Sequence, residues 1–430
     1  MFDFTSLSGI FTNISGLMYH VALIALIALI DFVTITRARF VKYNRRVHAQ
    51  KKQQIDVSTA QDYSILIPIF GNLKYLKNVN FLAPYGDRVI LCTTTKETGK
   101  FNNEIEAISK KHGFRIYRSE VKLASASHKP NPWKLFNQTL VPNVKKCSDA
   151  IEKSMNQEIL RDEIMRDSFI VVKSKYCIFL DGDTVSERSL DCLMQTFINR
   201  DLDISSVRVL ASKTDTLIEK LQAIEYELAM DVREIYPWLT SGACMIAKTE
   251  VIQDIMSSHS LFFQGGDIEI GKLADMKGYH VGHIPNVLYT DVPETFKAWF
   301  RQRVAWAGGG FRHAVINFHV HSWRYPMFFF YMTILVYMMT PLRWYEFITH
   351  PIILLFVVCL YWLLIFIFQW KTFKPFFFLF PFYALLQVMV IIPLGIAKYF
   401  FMAYSARNAG MIKNKFDVIK LQPVYEKYSI

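Results

Sequence analysis

The sequence predicts an α/β domain, a mostly parallel sheet with helices on both faces, set among transmembrane helices. Between about Asp62 and Tyr289, short apolar runs alternate with longer segments of mixed, helix-period composition. Gly16 to Ile35 is almost wholly apolar, and about 20 such residues span a bilayer. The run Tyr176-Cys-Ile-Phe-Leu-Asp-Gly-Asp183 reads as a buried strand that ends in two carboxylates, Asp181 and Asp183.

Taken in chain order, the N-terminal apolar run is followed by Arg37, Arg39, Lys42, Arg45, Arg46, Lys51 and Lys52, whereas only Asp3 is charged before it. That asymmetry places the next segment in the cytoplasm. It also argues against a cleaved signal peptide, whose basic residues precede the apolar run. The strand candidates are Ser64 to Phe70, Arg88 to Cys92, Tyr176 to Leu180 and Ile204 to Leu210, with helical stretches at Asn102 to His112 and Lys146 to Arg166. Three more apolar stretches follow, Met327 to Leu342, Ile352 to Trp370 and Phe376 to Met402, the last interrupted by Pro381 and Pro393. The chain therefore divides into a transmembrane segment over 1–36, a cytoplasmic domain over 37–292, an amphipathic interface-helix region over 293–322, a membrane bundle over 323–404 and a tail over 405–430.

The formal charge of +12 suggests nucleic acid as a partner, but much of the excess lies beside apolar segments, where it matches anionic headgroups. No nucleic-acid recognition motif accompanies it, so the expected partner is the lipid bilayer. The six cysteines have no metal-ligand spacing and are expected to be reduced thiols in the core.

Chemistry concentrates in a few places. Two carboxylates one residue apart at a strand end form a claw for Mg²⁺ or Mn²⁺, hard cations that prefer oxygen ligands and keep positions open for substrate phosphates. Asp201-Leu-Asp203 has the same spacing but no apolar strand leading into it, and reads as loop chemistry. Asp267, in Gln264-Gly-Gly-Asp267, either caps the helix that follows or serves as a general base. On the helical segment from Pro293 to Trp306, Gln302 and Arg303 stand four and three residues before Trp306, on neighbouring positions of one side. An indole stacks on sugar rings and a guanidinium neutralises a diphosphate. Gly308-Gly-Gly310 predicts a bend or a close backbone approach.

In this order, SILIPIFGN, FLDGDT, SGACMIAK, GGDIEIG, TDVPETF and RQRVAWAGGG, the chain resembles the processive membrane glycosyltransferases of family 2, which include cellulose, hyaluronan, chitin and poly-N-acetylglucosamine synthases. The resemblance implies a glycosyltransferase-A-like domain that moves sugar from a nucleotide-sugar donor, a UDP-linked hexose or N-acetylhexosamine, to a growing glycan, with export assisted by the membrane helices. Single transfer to a lipid acceptor is the alternative, and a degenerate scaffold a third. Carried over by position, Asp181 and Asp183 contact the diphosphate and its Mg²⁺ or Mn²⁺, and Asp267 is the base. Ser241, Gly242, Gln302 and Trp306 border the acceptor, while Arg303 and one of Lys145 or Lys146 serve the donor. Three departures stand out. Cys92-Thr-Thr-Thr95 replaces an acid that reads uracil, leaving hydroxyls such as that of Thr93. Gly266 replaces the acid before the base, and Ala305 the arginine beside the tryptophan. A partner subunit is compatible with the pattern.

Overall fold

The computed structural model describes residues 62–121, 160–259, 261, 265–315, 325–326, 336–337, 339–369 and 374–408. The N-terminal apolar run, Lys145, Lys146, most of Met327 to Leu342 and the tail beyond 408 lie outside the described residues.

The predicted strands form, and the sheet is larger than predicted. β1 (Tyr63–Pro68), β2 (Val89–Thr94) and β4 (Tyr176–Leu180) are buried along almost their whole length, as continuous apolar runs are when helices cover both faces. With β3 (Arg115–Ser119), β5 (Val185–Ser186), β6 (Ile204–Ala211), β7 (Cys244–Lys248) and β8 (Val281–Thr290) they make one eight-stranded sheet in the order β3-β2-β1-β4-β7-β6-β8-β5. The sheet is mixed rather than mostly parallel: β7 runs antiparallel to both of its neighbours, β4 and β6, and β5 antiparallel to β8. The sequence hid this because an antiparallel strand buried on both faces, such as Cys-Met-Ile-Ala-Lys, is as apolar as a parallel one.

Helices cover both faces. On one lie α1 (Gly99–His112) and α3 (Leu190–Asn199), which contribute Phe101, Ile105, Leu193 and Phe197 to the core. On the other lie α2 (160–171), α5 (Thr249–Ser257) and α6 (Gly266–Met276), which contribute Ile164, Phe169, Ile252, Ile255, Ile270 and Leu273. Local signals set the ends. α1 starts at Thr98, whose hydroxyl accepts the Phe101 N–H, and stops at Gly113 with φ 73°. α4 (Leu217–Ile235) opens with a reciprocal capping box between Thr216 and Glu219.

α7 (Phe296–Val315) forms where a helix was predicted, and part of it packs into the protein. Trp299, Arg303 and Arg312 are almost wholly enclosed, and Trp299 packs with Leu221 and Ile224 of α4 and with Tyr383. Burying one indole of this kind contributes roughly 4–6 kcal/mol as an upper figure. α7 runs unbroken through Gly308-Gly-Gly310, so the glycines serve close approach and not a bend: a Cβ on Gly395 would lie 2.7 Å from the Gly308 nitrogen.

The C-terminal helices are α8 (Thr340–Thr349), α9 (Pro351–Gln369), α10 (Phe380–Leu386) and α11 (Ile392–Asn408). Among the described residues, one helical stretch is long and apolar enough to cross a membrane, Pro375–Phe401, and the pair Thr340–Thr349 and Pro351–Ile367, bent by 113°, passes together. The prolines disturb the long stretch as expected, with a π-turn at Gln387–Ile391 just before Pro393. Pro393 has no N–H to give the Met389 carbonyl, and the indole N–H of Trp344 donates to that oxygen at 2.8 Å. The five cysteines among the described residues are free thiols.

Candidate active site

The acid pair leaves the end of β4 in a tightly pinned turn. Asn78 donates from its side chain to the carbonyls of Asp181 (3.0 Å) and Thr184 (2.8 Å), and the Gly182 carbonyl accepts the N–H groups of Lys77 and Asn78. Gly182 is needed here, since a Cβ would come within 3.0 Å of the Tyr75 carbonyl oxygen. Asp183 accepts from Thr290, at the end of β8, at 3.1 Å. Antiparallel β7 explains why SGAC joins this turn: the Asp181 N–H donates to the Ala243 carbonyl at 3.0 Å, which brings Ser241 and Gly242 alongside.

Asp267 meets them from α6. Gly265, at φ 90°, is the N-cap, and no side chain caps the helix. Asp267 therefore does not cap: its Oδ2 reaches across to accept the Gly242 N–H at 2.7 Å, and its other oxygen has no partner among the described residues. Arg161 of α2 closes the circuit, donating to Asp181 Oδ1 at 3.0 Å and to the Gly242 carbonyl at 3.2 Å. Asp181 and Asp267 are thus joined through Arg161 and Gly242. Asp201 and Asp203 instead hold Lys248 and the His280 N–H, as their loop reading required.

The electrostatics fit a cation. Burial, then the Asp181 charge, pushes Asp183 up to about 6, and burial raises Asp181 despite Arg161. Two partly desolvated carboxylates that repel each other offer hard oxygen donors, which a divalent ion would relieve. Among the described residues no cluster of three or more ligating side chains forms.

α4 and α7 meet at Arg303 and Trp306. Arg303, expected to serve the donor, is 3% exposed and committed elsewhere: it donates to Glu225 at 3.1 and 2.9 Å, to Gln302 at 2.6 Å and to Gln222 at 3.3 Å. Arg301 is exposed and Ala305 buried. The guanidinium of Arg303 lies 4.2 Å from the Trp306 ring centroid and braces the indole, which is 45% exposed beside Tyr226. Thr93 is fully enclosed, with its hydroxyl unpartnered, and so presents nothing to a nucleobase. An acid does follow β2 a little later: Glu97 accepts the Gly71 N–H at 3.1 Å.

Sequence reasoning missed Arg161, Gln222, Glu225 and Tyr226. The spacing 222, 225, 226 puts three of these on one helical face, a signal that was available. Arg161 was hidden within a charge-rich stretch.

Comparisons with known proteins bear on the family. No curated protein matches the sequence. Among solved structures, a mannosyltransferase from Pyrobaculum calidifontis, in complex with GDP-Man and Mn²⁺, is 12% identical, with 87% of this chain and 99% of that one covered and a TM-score of 0.45. Glucosyl-3-phosphoglycerate synthase from Mycobacterium tuberculosis, with Mn²⁺, UDP and phosphoglyceric acid, is 12% identical over 60% and 82%, TM-score 0.33. TarS from S. aureus is 13% identical over 57% and 39%, TM-score 0.33. The family model described as glycosyl transferase family group 2 matches residues 176–401, more than half of the 430, and takes in the acid pair, Asp267 and Trp306. With its strand-end carboxylates, its α6 aspartate and its α7 tryptophan all inside that span, the chain belongs to glycosyl transferase family group 2.

Proposed function

We propose that this glycosyltransferase is membrane-embedded and transfers a sugar, with inversion, from a nucleotide sugar such as a UDP-linked hexose or N-acetylhexosamine to a growing glycan, whose export the membrane helices assist. The observation that supports the reading is the junction of Asp181 and Asp267 through Arg161 and Gly242, an arrangement suited to a diphosphate-side acid and a base.

In this reading the free oxygen of Asp267 takes the proton of an acceptor hydroxyl, and the Gly242 N–H holds the other oxygen still. The hydroxyl oxygen attacks the anomeric carbon as that carbon's bond to the diphosphate oxygen breaks. The electron pair leaves with the diphosphate. Arg161 faces the leaving group and offsets its charge, a role assigned to Lys145, Lys146 or Arg303 by sequence. Asp181 and Asp183 would hold Mg²⁺ or Mn²⁺, which supplies further charge neutralisation when bound. Trp306, flanked by Tyr226, gives the acceptor ring a flat apolar face. Positioning supplies much of the remaining acceleration.

The test incubates the purified full chain with a panel of nucleotide sugars and Mn²⁺ or Mg²⁺. Transfer from at least one donor, lost on Asp267→Asn with nucleotide binding retained, is the expected result. Undiminished turnover by that variant overturns the assignment of the base, and a single glycolipid product in place of a polymer ladder overturns the glycan acceptor.

A further inference from the structure

Arg161 pairs with Asp181, Arg303 with Glu225, Lys77 with Asp291 and Arg312 with Glu269. Arg233, in the last turn of α4, makes no direct ion pair among the described residues, although the Asp267 charge acts on it. Its Nε donates to the Leu239 carbonyl at 2.6 Å, and its Nη1 contacts only the Met230 sulfur, at 3.8 Å. The first bond ties the guanidinium to the loop that continues into Thr240, Ser241 and Gly242. Thr240 donates to the Asp267 carbonyl and Gly242 to its carboxylate. Arg233 is also seven residues after Tyr226, so both lie on one face of α4, and that face is the one turned to Trp306.

We infer that Arg233 is an anion subsite for the acceptor: the sugar that Trp306 and Tyr226 support, and whose hydroxyl Asp267 deprotonates, carries a carboxylate or phosphate that the Arg233 guanidinium binds. This rests on the proposed transferase reading and narrows it to an anionic acceptor. Three features support it. The Nε contact fixes the plane of the guanidinium and leaves its outer nitrogens as donors, the geometry suited to a two-oxygen anion. The residue is partly enclosed and burial lowers its pKa, so an arriving anion would favour the charged guanidinium. Its electrostatic neighbours are Asp267 and the Tyr226 phenol, which puts it on the acceptor side of the site. Arg161 already serves the acid pair on the other side.

The experiment titrates the purified full chain, saturated with UDP or GDP and Mn²⁺, with glucose, glucuronate and glucose 6-phosphate by calorimetry. At least one anionic sugar is expected to bind about tenfold tighter than glucose, equivalent to about 1.4 kcal/mol, and the preferred one distinguishes carboxylate from phosphate. Arg233→Gln removes that preference, Arg233→Lys keeps part of it, and nucleotide affinity is retained in both. Equal or undetectable binding of the anionic sugars to the unaltered protein overturns the inference. So does a loss of nucleotide affinity in Arg233→Gln, which reassigns the guanidinium to the donor. Turnover of nucleotide sugars, measured separately, reports on the transferase reading itself.

Discussion

Replacing Glu225 with Gln decides what Arg303 is for. One Glu225 oxygen accepts from Arg303 at 3.1 and 2.9 Å and also from the Tyr383 hydroxyl, which in turn accepts the Trp299 indole N–H at 2.8 Å. The Arg303 side chain is 3% exposed and that of Glu225 23%. Stranding a buried cation costs about 3–5 kcal/mol, and the residual solvent at Glu225 favours the lower end, about 3 kcal/mol. Glutamine preserves the shape and one acceptor oxygen, so the loss reads charge rather than packing. The pair Glu225→Met and Arg303→Met removes both charges and should cost less than the two single changes summed, since their coupling is shared.

The assay is unfolding of the purified chain in detergent, run beside donor titrations. Glu225→Gln should lower stability by about 3 kcal/mol while donor KM shifts little, because the guanidinium braces Trp306 and does not face the diphosphate. If stability stays within about 0.5 kcal/mol, the spread of an ordinary surface change, and Arg303→Met alone raises donor KM, the buried-pair argument fails. Arg303 would then return to the leaving group.

Four further outcomes follow from the structure. Gly395→Ala places a Cβ 2.7 Å from the Gly308 nitrogen and 2.8 Å from the Val304 oxygen, so prising α7 from α11 should cost about 1–3 kcal/mol in thermal stability. Gly99→Ala, with nothing within 4 Å of its added Cβ, should be neutral or stabilising. Lys272 is held at about 7 by burial and then by the Arg312 charge, against about 10.4 unfolded. The unfolded chain therefore binds more protons between these values, and stability should rise with pH through that window. Lys272→Met should flatten that rise in melting curves taken at intervals across it. Trp344→Phe should cost about 1 kcal/mol by orphaning the Met389 carbonyl, and less in a Pro393→Ala background, where the backbone N–H returns; equal costs in both would refute the link to proline.

What the sequence disclosed was local. Strands β1, β2, β4 and β6 were legible as apolar runs between turn residues, and the break before Pro393 followed from a missing N–H. What it concealed was pairing across distance. Arg161 meets groups 20 and 81 residues away, and nothing in its neighbours marks it out from Arg166, which pairs with Asp167 instead. Arg303 looked available because the carboxylate that occupies it is 78 residues earlier. Thr93 looked like a cleft hydroxyl because strand alternation does not say how deep a strand lies.

Gly266 shows how such a gap misleads. The resemblance puts an acid at this position, and its absence is compatible with altered substrate choice or lowered activity. In the structure a Cβ on Gly266 would lie 2.5 Å from the Asp162 carboxylate, so another carboxylate already occupies the space that a side chain would enter. Asp162 reaches it from α2, one residue after Arg161, with burial raising its pKa and His259 and Arg161 opposing the shift. A carboxyl group absent from position 266 is thus present in the same volume, carried by a helix about a hundred residues earlier in the chain. A motif compares residues along a line, whereas the electrostatic environment of Asp267 depends on which atoms stand near it. The glycine is what admits Asp162, and its presence at 266 is therefore no argument for a failing base.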